Sequence, residues 1–355
     1  MTALNVLVID DSAVVRQVMT ALLGPAMIVT TAADPLIAMT KMETRRPDVI
    51  VLDLEMPRMD GLTFLRKLMD ETPLPVVVCS SFAESSSELT MRALQLGAVD
   101  VVLKPKVRIG EALSDSAIAL IDTVRAAAQA RVGRARARVP VEDRHPHLTL
   151  APATLLRNGG VVSPQLVAIG ASTGGTEVLK LLLDAMPADA PPLVIVQHMP
   201  EQFTAAFARR LNETSAMTVR EAIPGDIVRA GTALIAPGDR HLSLVAQGRG
   251  VIGVALDDGP LVNRHRPSVD VLFSSAARTL GASAIGVLLT GMGRDGAKGL
   301  LEMRKAGSLT VAQDEASSTV FGMPRAAIEL GAAARVLAAD RISGALLEAV
   351  RGHNQ

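Results

Sequence analysis

Short apolar runs that halt at a polar residue and give way to a helical stripe recur along this chain, and no other feature constrains its fold as much. Residues 6–9 (VLVI) end in Asp10-Asp11, and after Ser12 the apolar positions Val14, Val15, Val18, Met19 and Leu22 return at helical spacing. Residues 49–52 end in Asp53, 76–79 in Ser80, and 99–103 in Lys104-Pro105, with helical stretches over 61–69 and 86–96. Later, residues 166–169 run into Gly170-Ala171-Ser172, 193–196 into Gln197-His198, and 284–289 into Thr290-Gly291. Strands alternating with helices imply parallel sheets covered on both faces, with ligands gathered at the strands' carboxyl ends. The expected class is α/β. A chain of 355 residues exceeds what one core usually organises, so two domains are expected, over 1–125 and 161–350, with a linker at 126–160.

Formal net charge is +0, and Trp and Tyr are absent. Neither a basic phosphate-binding surface nor an aromatic base-stacking platform is indicated, so nucleic acid is not an expected partner. The amino terminus lacks the basic region, apolar core and cleavage site of a leader, and no apolar run approaches membrane-spanning length. The expectation is a cytoplasmic protein without membrane insertion. Cys79 ends an apolar run and reads as a core residue; as the single cysteine it can form no intrachain disulfide.

In the first half, three carboxylates meet at successive strand ends. Asp10, Asp11 and Asp53, with no histidine or cysteine nearby, form a hard oxygen-donor set suited to Mg2+, which in turn suits a phosphoryl group. Asp53 could attack phosphorus to give an acyl phosphate, while Lys104 neutralises the phosphoryl oxygens and Ser80 hydrogen-bonds to one of them. The alternative is that each aspartate only caps a helix; the full set favours the phosphoryl reading. With Met56-Pro57, Met59-Asp60-Gly61 and Lys104-Pro105, this set resembles the receiver domain of two-component response regulators. The resemblance implies a flavodoxin-like fold, phosphorylation of Asp53 by a histidine kinase, and a switch through Ser80 and Lys104. Val101 stands where receivers often carry an aromatic residue, so coupling must use Ser80 and packing.

From about residue 126 arginines accumulate among alanines (Arg131, Arg134, Arg136, Arg138, Arg144), followed by Pro140, Pro146 and Pro152. Ile118, Ile121 and Val124 continue a helical stripe into this region, and the remainder reads as a solvated tether carrying His145 and His147.

In the second half, Ser172 lies in a strand-to-helix turn and satisfies G-x-S-x-G through Gly170 and Gly174. A glycine-rich loop at a helix start also cradles phosphate, and the loop alone does not decide between a nucleophile and a binding site. His198 and Asp295 stand just past two further strands. A hydroxyl, an imidazole that titrates near neutrality and a carboxylate at one sheet edge are what acyl transfer requires. The main-chain NH of Thr173, aided by that of Met292 in the Gly291-Met292-Gly293 loop, would form the oxyanion hole. His241 and His265 are expected to have surface or substrate-facing roles, Asp257-Asp258 to form a turn, and Asp270 to sit in a favourable helix dipole.

The motifs IGASTGGT at 169–176, QHMP at 197–200, IAPG at 235–238, RPSVD at 266–270 and LTGMG at 289–293 followed by Asp295-Gly296 resemble the chemotaxis protein-glutamate methylesterases. Together with the receiver, the likeness covers nearly the whole chain outside the linker. It implies a doubly wound, Rossmann-like parallel-sheet serine hydrolase with Ser172, His198 and Asp295 as its triad. It further implies hydrolysis of glutamyl methyl esters on methyl-accepting chemotaxis receptors and deamidation of specific receptor glutamines. The resemblance also implies that no cofactor serves the esterase step and that the unphosphorylated receiver lies across the cleft. A second domain that only binds a phosphate-bearing ligand would leave His198 and Asp295 unexplained, and a DNA-binding output lacks a basic helix-turn-helix pattern.

Overall fold

The computed structural model describes residues 3–81, 84–105, 115–132, 166–248 and 250–351. In the first half, β1 (Asn5–Ile9), β2 (Ile28–Ala32), β3 (Val49–Leu52), β4 (Val76–Ser80) and β5 (Asp100–Leu103) alternate with α1 (Ala13–Leu23), α2 (Pro35–Thr44), α3 (Gly61–Glu71), α4 (Glu84–Gln95) and α5 (Asp115–Ala128). The strands pair in parallel in the order β2-β1-β3-β4-β5, the flavodoxin-like arrangement. Because helices cover both faces, β3 and β4 are buried along their whole length, and this is why their sequences are unbroken apolar runs. Ser12 caps α1 through the Val15 NH, as its position predicts, and Asp60 caps α3 through the Thr63 NH.

The second half holds β6 (Leu166–Ala171), α6 (Gly175–Asp184), β7 (Leu193–Gln197), α7 (Glu201–Thr214), β8 (Thr218–Glu221), β9 (Thr232–Ile235), β10 (His241–Ala246), β11 (Ile252–Asp257) and α8 (Val269–Thr279). It continues through β12 (Ala284–Leu288), α9 (Ala297–Lys305), β13 (Leu309–Gln313), α10 (Met323–Glu329), β14 (Arg335–Leu337) and α11 (Ala339–Arg351). Seven strands form one parallel sheet in the order β14-β13-β12-β6-β7-β9-β8. The chain leaves β6 toward β7 and returns on its other side at β12, so the strand order reverses there. A crevice opens outside the carboxyl ends of strands at such a reversal, and ligands bind in it. The antiparallel pair β10–β11 departs from the repeating pattern; α8 packs on it, and Ser275 Oγ accepts the Leu244 NH at 2.9 Å.

The two halves share one apolar cluster that includes Met91, Leu94 and Ala98 of the first and Met199, Phe203 and Phe207 of the second. Phe203 on α7 is wholly buried, and burial of such a side chain contributes roughly 1.5–3 kcal/mol. Helix α5 carries the Ile118, Ile121 and Val124 stripe on to Ala128, and Arg131 just beyond it pairs with Glu315 at 3.1 Å. Most of the expected tether, with His145 and His147, lies outside the described residues.

Candidate active site

The turn after β6 is held by its neighbours on both sides. The Ser172 NH donates to Thr290 O at 3.0 Å beyond β12, and Gln197 Nε2 at the end of β7 donates to Ser172 O at 2.9 Å. Thr290 Oγ1 also donates to Thr173 O at 3.0 Å. Gly174 adopts φ +76 to start α6, and a Cβ there would lie 2.3 Å from Thr319 Cβ, so only glycine fits. Gly291 is a second such place: a Cβ on it would stand 2.6 Å from Ser172 Cβ. The hydroxyl-bearing residue is thus wedged between backbone segments that admit no larger side chain.

His198 follows β7, its NH donating to Ala171 O at 3.0 Å, which sets it beside the Ser172 turn. Its Nε2 lies 2.9 Å from Asp295 Oδ2, with the two side chains only 8% and 1% exposed. Asp295 also accepts the Val269 NH at 2.7 Å, the Ser268 hydroxyl at 2.7 Å, Asn263 Nδ2 at 2.7 Å and the Asp270 NH at 3.3 Å. It therefore caps the amino end of α8, where aligned NH groups favour negative charge. Burial alone would raise its carboxyl, but His198 together with Ser268 and Asn263 outweighs burial and holds it well below the usual carboxylate range. A carboxylate that stays ionised only accepts, so the proton of the neutral imidazole sits on Nε2. Nδ1, on the other edge of the ring, is buried without a hydrogen-bond partner. Nδ1 therefore makes no hydrogen bond to the Ser172 hydroxyl, and the His198 main-chain NH, bonded to Ala171 O, is what ties the residue to the Ser172 turn.

Among the described residues, neither the Thr173 nor the Met292 main-chain NH donates a hydrogen bond. The sequence assigns these two NH groups to an oxyanion hole. His241 departs from its expected surface or substrate-facing role. It is 2% exposed, with Nε2 3.0 Å from Pro260 O and Nδ1 accepting the Ser268 NH at 3.2 Å, so it braces the loop from inside. His265 is half-buried and faces the candidate site: its ring stacks on His198 with centroids 3.7 Å apart and planes 9° from parallel. Asp270 does more than complement a dipole, because it is buried, accepts Asn263 Nδ2 at 2.7 Å and the Gly299 NH at 2.7 Å, and so ties α8 to α9. Asp257 closes its turn as expected, accepting the Gly259 NH at 2.9 Å.

At the other sheet edge, ligand oxygens of Asp10, Asp11 and Asp53 all lie within 4.8 Å of one another. Lys104 Nζ donates to Asp53 Oδ2 at 2.7 Å and lies 3.1 Å from Asp10 Oδ2, an atom that is buried yet accepts no hydrogen bond. Burial raises the Asp53 carboxyl, with the Lys104 hydrogen bond and charge opposing the rise. Three carboxylates with an unsatisfied buried oxygen form a site that fits a hard divalent cation. Ser80 Oγ at the end of β4 accepts the Thr90 hydroxyl at 3.1 Å.

Residues 167–346 match the family model for CheB methylesterase, and residues 6–113 match the response regulator receiver domain. Protein-glutamate methylesterase/protein-glutamine glutaminase 1 of Anaeromyxobacter dehalogenans is 54% identical over 348 residues, covering 97% of this chain and 98% of that protein. The similarly named protein 2 of Rhodospirillum rubrum is 51% identical over 357 residues, covering 98% of each. The chain belongs to the CheB methylesterase family. Among solved structures, the Thermotoga maritima CheB methylesterase catalytic domain superposes with a TM-score of 0.51 at 43% identity, covering 53% of this chain and 99% of that one.

Within this family frame the receiver sits directly on the serine turn. Thr173 Oγ1 donates to Asp100 Oδ2 at 2.7 Å, and the Gly174 NH donates to Val99 O at 3.3 Å. Ser87 on α4 donates to Gln202 O at 2.9 Å, and Arg264 lies 3.4 Å from Asp122. Asp100, Asn263, Ser268 and Thr290 take no part in the sequence-based site. Each acts through a partner at least 25 residues away, which no local pattern records. The one available signal was the density of polar and capping residues in NRHRPS, just ahead of α8.

Proposed function

We propose that this chain is a phosphorylation-activated hydrolase that removes methyl esters from glutamate side chains of methyl-accepting chemotaxis receptors and deamidates specific receptor glutamines. The observation that carries the reading is the His198 imidazole, bound to Asp295 through Nε2 and unpartnered at Nδ1, on a residue whose NH is bonded to Ala171, next to Ser172. In this mechanism Ser172 Oγ attacks the side-chain carbonyl carbon as its proton passes to His198 Nδ1. Asp295 stabilises the imidazolium through Nε2–H. The NH groups of Thr173 and Met292 receive the oxyanion, each such donor being worth about 10²–10³ in rate. The intermediate collapses as the ester carbon–oxygen bond breaks, and methoxide takes the Nδ1 proton and leaves as methanol; from an amide, ammonia leaves instead. Water then gives a proton to Nδ1 and attacks the acyl carbon; as the acyl–Oγ bond breaks, Ser172 Oγ takes that proton back from Nδ1, leaving glutamate and the free enzyme. Relative to the serine-protease template the two ring nitrogens exchange places, which the chemistry allows.

The receiver, over 1–125, controls the catalytic part, over 161–350, through the 126–160 tether and the contact at Asp100 and Thr173. Asp53 is the phosphorylation site, with a chemotaxis histidine kinase as donor. When bound, Mg2+ would be held by Asp10, Asp11 and Asp53 and would neutralise phosphoryl charge. Lys104, whose Nζ is bonded to Asp53, would also neutralise it, and Ser80 would turn its hydroxyl toward the phosphoryl oxygens. The docked and released arrangements form an equilibrium that phosphorylation shifts toward release. Among the described residues no helix is long and apolar enough to cross a membrane, and the reading places the protein in the cytoplasm, at the receptors' signalling side.

Methanol release from a glutamyl-methylated receptor fragment tests this, with and without Mg2+ and a small acyl-phosphate donor. Release should rise on phosphorylation, lose its stimulation in Asp53→Ala or with a chelator, and disappear in folded Ser172→Ala. Full turnover in Ser172→Ala would remove the nucleophile assignment.

A further inference from the structure

His198 is held by a single side-chain hydrogen bond, at Nε2, while Nδ1 has no partner. The covalent bond at Cγ and this hydrogen bond fix two points of the ring. They leave the imidazole free to rotate about the line joining them, and any rotation swings Nδ1 away from an acceptor position. The second constraint in this structure is His265, whose ring lies flat against that of His198 at 3.7 Å and 9°.

His265 is itself firmly seated. Its NH donates to Val262 O at 2.9 Å and its carbonyl accepts the Val262 NH at 3.1 Å, closing a tight turn through Asn263 and Arg264, both at positive φ. The Asn263 side chain anchors the turn from below on Asp295 and Asp270, each at 2.7 Å. Arg266 anchors it from the far side, donating to Asp239 Oδ1 at 2.7 Å and to the Asp258 and Gly259 carbonyls at 2.9 Å. The loop that supplies two of the Asp295 hydrogen bonds, from Asn263 and Ser268, thus also supplies the ring stacked on His198.

Resting on the esterase reading above, we infer that His265 is a positioning residue: its ring is a flat platform that fixes the plane of His198 and so aims Nδ1 at the Ser172 hydroxyl. A platform in this place has to remain uncharged, because His198 becomes an imidazolium during turnover and a second cation stacked on it would oppose that charge. The charged groups facing His265 are His198, Asp295 and Arg264, and burial with the neighbouring His198 lowers its own titration to about 3. It stays neutral wherever His198 works. The platform also keeps water from one face of the His198 ring, which strengthens the bond to Asp295.

Two substitutions separate ring from imidazole. His265→Phe keeps a planar surface and removes both nitrogens; His265→Ala removes the surface. In full-length protein carrying 15N-labelled histidine, wild type and His265→Phe should show one His198 tautomer, protonated at Nε2, with a narrow downfield Nε2–H resonance. The resonance is assigned by its loss in His198→Gln. In His265→Ala that resonance should broaden through exchange with water, and kcat for methanol release should fall about 10- to 100-fold with KM little changed. His265→Phe should restore most of kcat. A narrow Nε2–H signal and wild-type kcat in His265→Ala would overturn the inference. So would a His265→Phe variant that loses as much as His265→Ala, since the imidazole rather than the flat ring would then matter. If wild type releases no methanol at all, the esterase reading fails, and the tautomer comparison still decides the platform.

Discussion

The Asp100 carboxylate, at the first residue of β5, accepts the Thr173 hydroxyl at 2.7 Å, one residue beyond Ser172. The receiver therefore grips the same residue whose NH is assigned to the oxyanion hole. Burial pushes the Asp100 carboxyl from 3.8 up to about 6, against the lowering effect of the Thr173 bond. A carboxyl whose pKa is higher when docked than when released takes up a proton on docking. Docking is accordingly favoured as pH falls through about 6 and weakened above it. Asp100→Asn mimics the protonated form at every pH. Its basal activity, without phosphodonor, should lie several-fold below wild type at pH 8, and the gap should narrow as pH falls below about 6 and close only near 3.8. Basal activity in Asp100→Asn equal to or above wild type at pH 8 would count against this contact as the clamp.

Thr90 is the side chain that joins the phosphorylation edge to the docking helix. It is wholly buried on α4, and its hydroxyl reaches Ser80 Oγ at 3.1 Å and Ser86 O at 2.7 Å. If Ser80 turns toward a phosphoryl group, this link breaks and α4 is free to repack. Thr90→Val keeps the volume and removes the link. The ratio of stimulated to basal methanol release should fall at least threefold, a factor of about 0.7 kcal/mol in the coupling. An unchanged ratio would exclude Thr90 from the coupling.

Asn263 stands between two carboxylates, Asp270 and Asp295, and satisfies both at 2.7 Å. Asn263→Ala removes the donor shared by Asp270 Oδ2 and Asp295 Oδ1, although Asp295 keeps the Ser268 hydroxyl and the Asp270 NH, and should destabilise the protein by about 1–3 kcal/mol. The depressed Asp295 carboxyl contributes stability that is fully present above its ordinary 3.8 and lost as pH falls below it. Without Asn263 that carboxyl rises toward its ordinary value, so acid unfolding should begin at a higher pH than in wild type. Circular dichroism across an acid titration measures the displacement.

Gly291 is a steric requirement of the Ser172 turn. A Cβ at this position would stand 2.4 Å from Met323 Sδ and 2.6 Å from Ser172 Cβ. Gly291→Ala should cost roughly 1–3 kcal/mol through overpacking. Because the displaced residue is Ser172, kcat should collapse by at least 10²-fold even where the protein remains folded. Thermal melting and single-turnover kinetics on the same sample separate the two effects.

The sequence by itself determined what local physics controls. Unbroken apolar runs ending in Asp10, Asp53, Ser80, Ser172 and His198 specified buried parallel strands, because a strand covered on both faces has no polar side to show. Their terminal polar residues then had to share the carboxyl edge, and Asp295 joined them from the loop after β12, so the two candidate sites were legible before any contact was known. Tertiary structure decided what depends on partners far along the chain. Which nitrogen of His198 faces Asp295, the flat stack of His265 and the burial of His241 all arise where the loop ahead of α8 folds back over β7 and β12. A histidine in a polar loop carries no mark of whether that loop ends in solvent or on another ring. The Asp100–Thr173 contact joins residues 73 apart across two sheets, and its strength comes from water excluded only when both surfaces have formed.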